Sequence, residues 1–239
     1  MGISLAGHSA LVTGGTRGIG KAIAARLLSE GASVVITGTR PNAEIPEGCE
    51  YRSIDFTNTS ATEVFAKEIS SCGFDILVNN AGINKIDAFD QLNPNDFDRV
   101  QAVNVRAPFL LCQTVLPSMR RKKWGRIINI CSIFGMISKE FRGPYSASKF
   151  ALDGMTAALA AEVARDGILA NCVSPGFIDT ELTRTILGEN GILQMIVQVP
   201  MRRLGKPEEV AALVAWLAGP ENTYISGQNI IIDGGFTRV

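Results

Sequence analysis

Short apolar segments alternate along the chain with longer segments in which apolar residues recur every three or four positions. The short segments consist mainly of Val, Ile and Leu, a composition typical of β-strands that are covered on both faces. Seven strands are predicted in this way, over residues 9–13, 33–37, 50–54, 76–78, 126–130, 169–173 and 229–232.

The longer segments have the periodicity of amphipathic helices. Gly31 follows the first of them at the usual position of a C-terminal glycine, and Pro94 and Pro207 stand where the first turn of a helix tolerates proline. The alternation indicates an α/β fold, a doubly wound (Rossmann) parallel sheet of seven strands with helices on both faces. Five helices are predicted, over residues 18–30, 60–71, 94–121, 144–165 and 207–218.

Neither a linker nor a repeat interrupts this alternation, so residues 1–239 are predicted to form a single domain. One segment, residues 175–205, fits neither pattern and is expected to be irregular. Because a long irregular segment inside a compact domain is usually functional, we expect this one to form a lid over a substrate site.

The composition excludes several classes of protein. Of the 239 residues, 46% are hydrophobic and 19% are charged, and the formal net charge is zero. Without a basic excess, neither nucleic acid nor an anionic membrane is an expected partner. No apolar run approaches the roughly 18 residues that a membrane span needs, and residues 1–10 lack the basic and apolar regions of a signal peptide.

The cysteines and the histidine restrict the chemistry further. The five cysteines are dispersed and form no C-x-x-C pair, so we expect free thiols in a reducing cytoplasm and no metal site. The single histidine, His8, stands at the start of the first predicted strand. A histidine-based catalytic scheme is therefore not expected.

A glycine-rich turn, TGGTRGIG at residues 13–20, joins the first strand to the first helix. Glycines let a backbone approach a pyrophosphate closely, and the helix N-terminus behind them supplies free N–H groups and a positive dipole end. The alternative is an ordinary strand–helix turn, but the first such turn of an α/β chain is where dinucleotide folds bind phosphate. The expected binding residues are Gly14, Thr16, Arg17, Gly18, Ile19 and Gly20.

The end of the second predicted strand indicates which dinucleotide binds. In NAD-binding folds an acidic residue near this position accepts hydrogen bonds from the ribose 2′-hydroxyl, whereas residues 36–40 (ITGTR) contain no acid. Thr39 and Arg40, with help from Arg17, can instead hold a 2′-phosphate. The alternative for Arg40 is a solvated loop charge. We expect NADP(H) as the cofactor.

Tyr145 and Lys149 are candidates for the chemistry, because their i, i+4 spacing near the start of a helix puts them on one face. A nearby ammonium stabilises the phenolate form of a tyrosine. This spacing also occurs by chance on solvated helix faces, so its context matters. Ser132 follows the strand at 126–130, at the edge where open α/β sheets bind ligands, and its hydroxyl can donate to a substrate oxygen.

Together these features resemble the short-chain dehydrogenase/reductase family over essentially the whole chain. The resemblance implies an enzyme that transfers hydride between NADP(H) and a carbonyl or secondary alcohol. It rests on motifs that occur in the family's order, namely T-G-x-x-x-G-x-G at 13–20, N-N-A-G at 79–82, the set Asn104, Ser132, Tyr145 and Lys149, and the pair Pro175-Gly176.

The resemblance also implies a role for each residue. Tyr145 would be the general acid in reduction and the base in oxidation, and Ser132 would polarise the carbonyl. Lys149 would bind the nicotinamide ribose, and Asn104 would hold a water of the proton relay behind it. Further cofactor contacts would come from Asp55 and Phe56 at the adenine, Asn80, Ala81 and Gly82 at the adenosine ribose, and Pro175, Gly176, Ile178 and Thr180 near the carboxamide.

For the substrate, the nearest resemblance is to 3-oxoacyl-[acyl-carrier-protein] reductases, in which Arg126 matches a basic carrier-docking position. An acyl carrier protein is therefore a possible partner, and another ketone, alcohol or sugar-like substrate is the alternative. The loop between Ser132 and Tyr145 contains Lys139, Glu140 and Arg142, which either receive an acidic or polar substrate or face solvent.

Two further expectations follow from the resemblance. The ending Asp233-Gly234-Gly235 fits the family's C-terminus, which commonly lies at a tetramer interface, so a homo-oligomer, tetramer or dimer, is expected. A binding protein that senses NADP(H) without catalysis is a remote alternative, because such proteins usually lose the tyrosine or the lysine.

The cofactor assignment predicts the behaviour of the variant Arg40→Asp. This substitution replaces a guanidinium that suits a 2′-phosphate with a carboxylate that repels it. We expect the ratio of NADPH affinity to NADH affinity to fall by at least about tenfold, measured by titrating each dinucleotide. An unchanged ratio would exclude Arg40 as the phosphate ligand.

Overall fold

The structure, a computed structural model, describes residues 4–239. Residues 1–3, part of the predicted domain and of the stretch considered for a signal peptide, lie outside it. Seven parallel strands form one sheet in the order β3-β2-β1-β4-β5-β6-β7, which confirms the predicted fold class. The strands are β1 (Ser9–Val12), β2 (Ser33–Gly38), β3 (Glu50–Ser53), β4 (Ile76–Asn79), β5 (Gly125–Ile130), β6 (Ile168–Pro175) and β7 (Asn229–Ile232).

Seven α-helices flank the sheet within the described range. They are α1 (Gly18–Ser29), α2 (Thr59–Ile69), α3 (Pro94–Gln101), α4 (Ala107–Lys122), α5 (Gly143–Val163), α6 (Glu181–Gln198) and α7 (Pro207–Ala218). Among residues 4–239, no helix combines the length and the apolar character that crossing a membrane requires.

Each face of the sheet is covered by its own hydrophobic core. In β1, Ala10 and Val12 pack into the core beneath α1 and α7, whereas Leu11 packs into the core beneath α2, α4 and α5. Alternate residues of a strand point to opposite faces. Continuous apolar strands therefore bury side chains on both sides, which explains why they show no polar alternation in the sequence.

The strand order places a topological switch beside the first glycine-rich turn. The chain continues from β1 to β2 and β3 on one side, and then returns to β4 on the other side of β1. Connections at such a point diverge to opposite faces and leave a crevice at the carboxyl ends of the strands, where ligands bind in open α/β sheets.

The single helix predicted over residues 94–121 is divided in the structure. A π turn, Ala102–Arg106, separates α3 from α4, and the N–H of Ala107 donates to the carbonyl of Ala102, five residues earlier. Pro108 accounts for this turn, because it has no N–H for the Asn104 carbonyl four residues before it. Turns of this type often occur at functional sites.

The expectation of an irregular segment over residues 175–205 is wrong, because α6 occupies most of it. Gly188 interrupts this helix with φ of 63° and ψ of 176°. Its apolar residues therefore do not form one continuous helical pattern in the sequence. At the base of the segment, Gly205 donates to Phe177 at 2.9 Å and accepts from the N–H of Asp179 at 2.8 Å.

The expectation that Arg126 is a docking residue is also wrong, because only 5% of it is exposed. Its guanidinium donates to the carbonyl of Asn222 at 3.0 Å and lies 4.4 Å from the centroid of the Trp124 ring. Burial lowers the pKa of this guanidinium. Arg126 is a structural residue at the amino end of β5, on the edge of the sheet opposite the crevice.

We expect Arg126→Met to lower the free energy of unfolding by about 2–4 kcal/mol, because it leaves buried carbonyls without a donor. Arg121→Met is the matched control, since Arg121 is exposed on the neighbouring helix and should change stability by no more than about 0.5 kcal/mol. Urea unfolding measures both. Equal stability of the two variants would contradict a structural role.

Candidate active site

A cleft of about 920 Å³ opens along the carboxyl ends of the strands, at the topological switch. All the residues predicted to bind the cofactor line it, together with three of the four predicted catalytic residues. These lining residues are Gly14, Thr16, Arg17, Gly18, Ile19, Gly20, Thr39, Arg40, Asp55, Phe56, Asn80, Ala81, Gly82, Ser132, Tyr145, Lys149, Pro175, Gly176, Ile178 and Thr180.

The glycine-rich turn packs against the end of β4 too closely for larger residues. A Cβ atom on Gly20 would lie 2.2 Å from the carbonyl oxygen of Gly14 and 2.4 Å from Nδ2 of Asn80. Gly14 itself has φ of 66°, in the left-handed region that favours glycine. The turn therefore needs glycine both for its conformation and for its close approach to the neighbouring strand.

Thr13 joins this turn to the segment after β4, and the sequence reasoning did not assign it a role. Its hydroxyl accepts from the N–H groups of Asn80 and Ala81, both at 2.9 Å. In return, Nδ2 of Asn80 donates to the carbonyls of Thr13 at 2.9 Å and Gly14 at 3.1 Å. The signal was present in the T-G pair that opens the glycine motif.

Two arginines lie at the glycine-turn end of the cleft. Arg17 and Arg40 are exposed, and neither forms an ion pair with a carboxylate of residues 4–239. The Tyr51 hydroxyl donates to the main-chain carbonyl of Arg40. The loop after β2 is thereby tied to β3. The guanidiniums of Arg17 and Arg40, which both line the cleft, are available for an anion.

Asp55 and Phe56 continue the same end of the cleft after β3. Oδ1 of Asp55 accepts from the N–H of Thr57 at 2.9 Å and from its hydroxyl at 2.8 Å, which fixes the carboxylate. The ring of Phe56 is buried and packs edge-to-face on Phe65. Phe56 therefore presents its main chain more than its ring to the cleft.

Tyr145 and Lys149 lie in the first turns of α5, on one face as predicted. Lys149 is 4% exposed, and its Nζ donates to the carbonyl of Ile130 at 2.8 Å. The same Nζ is 5.6 Å from the centroid of the Tyr145 ring. A buried ammonium thus lies near the ring of a tyrosine that lines the cleft.

Asn104 lies behind the cleft and does not line it. Its Oδ1 accepts from the N–H of Ile83 at 2.9 Å, and its Nδ2 donates to the carbonyl of Ile83 at 2.9 Å and to the hydroxyl of Ser148 at 3.0 Å. A Cβ on Gly82 would be 3.5 Å from Oδ1 of Asn104 and 3.8 Å from Nζ of Lys149. Asn104 therefore positions the segment that lies against Lys149.

Ser132 begins a short 3-10 turn after β5 and is mostly buried. Its hydroxyl accepts from the N–H of Phe134 at 3.2 Å, and its main-chain carbonyl is 3.1 Å from the Ser174 hydroxyl. Because the hydroxyl oxygen accepts this local bond, its proton is free to point into the cleft.

A buried polar chain, which the sequence reasoning missed, fixes α5 against the sheet. Nδ2 of Asn79 donates to Oδ1 of Asn129 at 2.7 Å, and Nδ2 of Asn129 donates to the Thr156 hydroxyl at 2.7 Å. That hydroxyl donates to the carbonyl of Leu152 at 2.7 Å. The signal was a lone amide, Asn129, inside the apolar strand at 126–130.

The thiol of Cys131 lies next to these groups. A hydrogen bond from Cys172 lowers the pKa of Cys131, assisted by the nearby Lys149 ammonium, and the same contact raises the pKa of Cys172. All five cysteines are free in the structure. Among residues 4–239, no cluster of three or more His, Cys, Asp or Glu side chains could hold a metal ion.

The Tyr145 end of the cleft has an apolar wall, and the charged side chains of Arg142 and Glu181 also line the cleft. Phe134 packs edge-to-face on Phe177 with ring centroids 6.2 Å apart, and α6 contributes Leu182 and Ile186. Of the three charged residues predicted in the loop after Ser132, Lys139 and Glu140 are exposed and do not line the cleft, whereas Arg142 does.

Comparisons with known proteins agree with this geometry. A family model described as enoyl-(acyl carrier protein) reductase matches residues 14–237. The 3-oxoacyl-[acyl-carrier-protein] reductase FabG of Aquifex aeolicus (strain VF5) is 40% identical over 248 residues, covering 98% of this chain and 99% of that protein.

Solved structures with the same fold are also similar in sequence. A gluconate 5-dehydrogenase from Burkholderia cenocepacia J2315, in complex with NADP and tartrate, has a TM-score of 0.90 and 30% identity, covering 99% of this chain and 97% of that one. A double mutant of a Serratia marcescens short-chain dehydrogenase/reductase has a TM-score of 0.87 and 35% identity, covering 98% of this chain and 99% of that one. The chain belongs to the short-chain dehydrogenase/reductase family and is an oxidoreductase, as the sequence predicted.

Proposed function

We propose that the protein interconverts a ketone and a secondary alcohol with NADP(H), and that Tyr145 carries the proton. The observation that supports this most directly is the single cleft that joins the glycine-rich turn to Ser132, Tyr145 and the buried ammonium of Lys149. The intact set of four residues argues against a binding protein without catalysis.

The residues present fit a dinucleotide with a 2′-phosphate. The close packing around Gly20 leaves the N-terminus of α1 open to a pyrophosphate, and Arg17 and Arg40 suit the additional phosphate through paired donors. Relatives solved with bound NADP support the choice of NADP(H). In this proposal Lys149 holds the nicotinamide ribose, and Ile178 and Thr180 contact the carboxamide.

NADP(H), when bound, supplies or accepts the hydride. The phenol of Tyr145 donates a proton to the substrate oxygen in reduction and takes it back in oxidation. The Ser132 hydroxyl donates a hydrogen bond to the same oxygen, which stabilises the charge that develops there. Lys149 stabilises the phenolate electrostatically, and its bond to Ile130 keeps the ammonium in place.

Asn104 completes the arrangement from behind. Both N–H groups of its amide are committed to Ile83 and Ser148. A relay water at this position would therefore donate to an oxygen of Asn104, either Oδ1 or the main-chain carbonyl. That carbonyl lacks its usual helical partner because Pro108 has no N–H.

Residues 175–205 are proposed to be the lid over the substrate, and the part from 178 to 205 is closed at its base. Its two ends are joined by a parallel β-bridge between Ile178 and Gly205, so the residues between them form a loop that contains α6. A Cβ on Gly18 would lie 3.4 Å from Thr180, which places the start of this loop against the glycine-rich turn.

Two substrate classes are supported by relatives. FabG relatives favour a carrier-bound 3-oxoacyl thioester, and the gluconate 5-dehydrogenase favours a polyhydroxy acid. The burial of Arg126 removes one expected docking contact for an acyl carrier protein. Assays of NADPH oxidation with a panel of ketones that includes an acetoacetyl thioester, and of NADP+ reduction with D-gluconate, test the two classes.

The oligomeric state and the cellular location of the protein stay predictions. Phe109 on α4 and Phe150 on α5 are 51% and 47% exposed, which suits a contact between copies in a homodimer or homotetramer. Free thiols at all five cysteines agree with the expected cytoplasmic location.

We expect Tyr145→Phe to bind NADPH with unchanged affinity and to lose at least about 100-fold in kcat, because it removes only the proton donor. Tyr224→Phe is the matched control, since that side chain is 97% exposed and should leave kcat unchanged. Dinucleotide titration and initial rates on the best ketone of the panel measure both. Substantial turnover by Tyr145→Phe would exclude the phenol as the acid.

The close packing of the glycine-rich turn against the end of β4 leads to a second prediction. Gly20→Ala should weaken NADPH binding by at least about tenfold and lower stability by about 2–3 kcal/mol, because the new methyl group overlaps the Gly14 carbonyl. Gly154→Ala, in the interior of α5 with open space around it, should instead raise stability by about 0.5–1 kcal/mol. Identical effects of the two substitutions would contradict the close packing described at Gly20.

A further inference from the structure

We propose that Arg142 binds a carboxylate on the substrate, so that the enzyme acts on ketones or secondary alcohols that carry an acid group close to the reacting carbon. This inference rests on the proposed oxidoreductase function and identifies the substrate class of the same cleft. It assigns a specificity role to a residue that belongs to neither the glycine-rich turn nor the catalytic set.

The position of Arg142 places its charge near the reacting atoms. It lines the cleft directly before α5, three residues from Tyr145, which lines the same cleft. Arg17 and Arg40, by contrast, lie at the glycine-rich end of the same cleft, where the cofactor phosphates are expected. The cleft therefore has a second cationic site, separate from the one that serves the dinucleotide.

Within residues 4–239 the guanidinium of Arg142 has no carboxylate partner, although it is half-buried. Burial lowers its pKa, which means that the charged form loses solvation without gaining a partner. Glu181 lines the cleft as well but lies beyond ion-pair distance. An anionic ligand would offset the lost solvation of Arg142.

The main chain at Arg142 is fixed by hydrogen bonds, and an aromatic ring lies near its guanidinium. Its central carbon lies 5.8 Å from the centroid of the Phe134 ring, an arrangement in which an aromatic face supports a cation. The loop that carries it is fixed by the contact of Ser138 with Ser146 at 2.9 Å, and by the bond from the Ser146 N–H to the Arg142 carbonyl at 2.8 Å. A positioned guanidinium loses less entropy when it binds.

The backbone just before Arg142 is unusual. Phe141 has φ of 64°, in the left-handed region that bulky residues avoid, and its carbonyl accepts from the N–H of Asp87 at 3.2 Å. Conformations of this kind persist where surrounding contacts enforce them and are enriched at ligand sites. Here the strained residue is the one that directs the chain into α5 and its Arg142–Tyr145 turn.

The chemistry of the site favours a substrate that has a carboxylate near its carbonyl group. A guanidinium presents paired donors that match the two oxygens of a carboxylate. The apolar wall formed by Phe134, Phe177 and α6 would exclude water from that pair and strengthen it. A carrier-bound thioester has no charge near its reacting carbonyl, because the phosphate of its arm lies many bonds away, and so leaves Arg142 without a partner.

The test compares each acid with a neutral partner of similar structure. The pairs are acetoacetate with methyl acetoacetate, 5-oxohexanoate with its methyl ester, and D-gluconate with D-glucitol, assayed with NADPH or NADP+ as the direction requires. We expect wild type to prefer at least one acid over its neutral partner by at least about tenfold in kcat/KM. Arg142→Gln should lower kcat/KM for that acid by about 10–100-fold and leave the neutral partner within about twofold.

Three controls separate this role from a structural one. Lys139→Gln removes a charge from the same loop but outside the cleft and should change neither substrate. Arg142→Lys keeps the charge without the paired donors and should retain part of the preference. Calorimetric titration of tartrate into the NADP-saturated protein should show binding that Arg142→Gln weakens by at least about tenfold, independently of turnover.

The outcomes distinguish this inference from the proposed function. Turnover of neutral ketones or of the acetoacetyl thioester with no preference for any acid would overturn the carboxylate site and leave the oxidoreductase intact. An equal loss on acid and neutral partner in Arg142→Gln would also overturn it. No turnover of any pair or of the thioester would contradict the proposed function itself.

Discussion

The feature on which the cleft depends is a row of hydrogen bonds that ties neighbouring strands together at their carboxyl ends. Each bond involves at least one side chain and is additional to the regular backbone hydrogen bonds between the strands. In order from β2 to β6 the contacts are Thr37 with Gly14 at 3.2 Å, Thr13 with Asn80 at 2.9 Å, Asn79 with Asn129 at 2.7 Å, and Ser132 with Ser174 at 3.1 Å. Buried polar groups that are left unpaired are costly, so this row specifies one relative position for each strand end.

That constraint explains how short segments from distant parts of the chain can act together. The glycine-rich turn, the segment after β4 and the start of α5 each leave the sheet from a strand end that the row holds in place. The hydrogen bonds from Asn79 to Asn129 and from Asn129 to Thr156 extend the constraint into α5. This helix carries the phenol of Tyr145 and the ammonium of Lys149. Preorganisation of this kind matters because misplacing a reacting group by about 1 Å can cost about 100-fold in rate.

Much of the fold could be predicted from the sequence because it depends on local signals, and about half of the residues that line the cleft could be named from those signals together with the family resemblance. Apolar runs identify strands that are buried on both faces, and glycines before a helix identify a phosphate turn. The π turn around Asn104 could not be predicted, because its cause, the missing N–H of Pro108, changes the helix without ending it. The interrupted helix α6 and the buried position of Arg126 were missed for a related reason. The break at Gly188 interrupts the apolar pattern of α6, and the burial of Arg126 depends on carbonyls distant in the sequence, which residue patterns do not report.

The positions of the two tryptophans make their intrinsic fluorescence a reporter of the folded state. Trp124 stacks on His8 with ring centroids 4.2 Å apart, and Trp216 packs into the core beside α1 and α7. Neither indole lines the cleft. Intrinsic emission will therefore follow the integrity of the fold, and a nicotinamide in the cleft can affect it only through space. Unfolding can thus be followed through the tryptophan emission, although neither indole forms part of the ligand site.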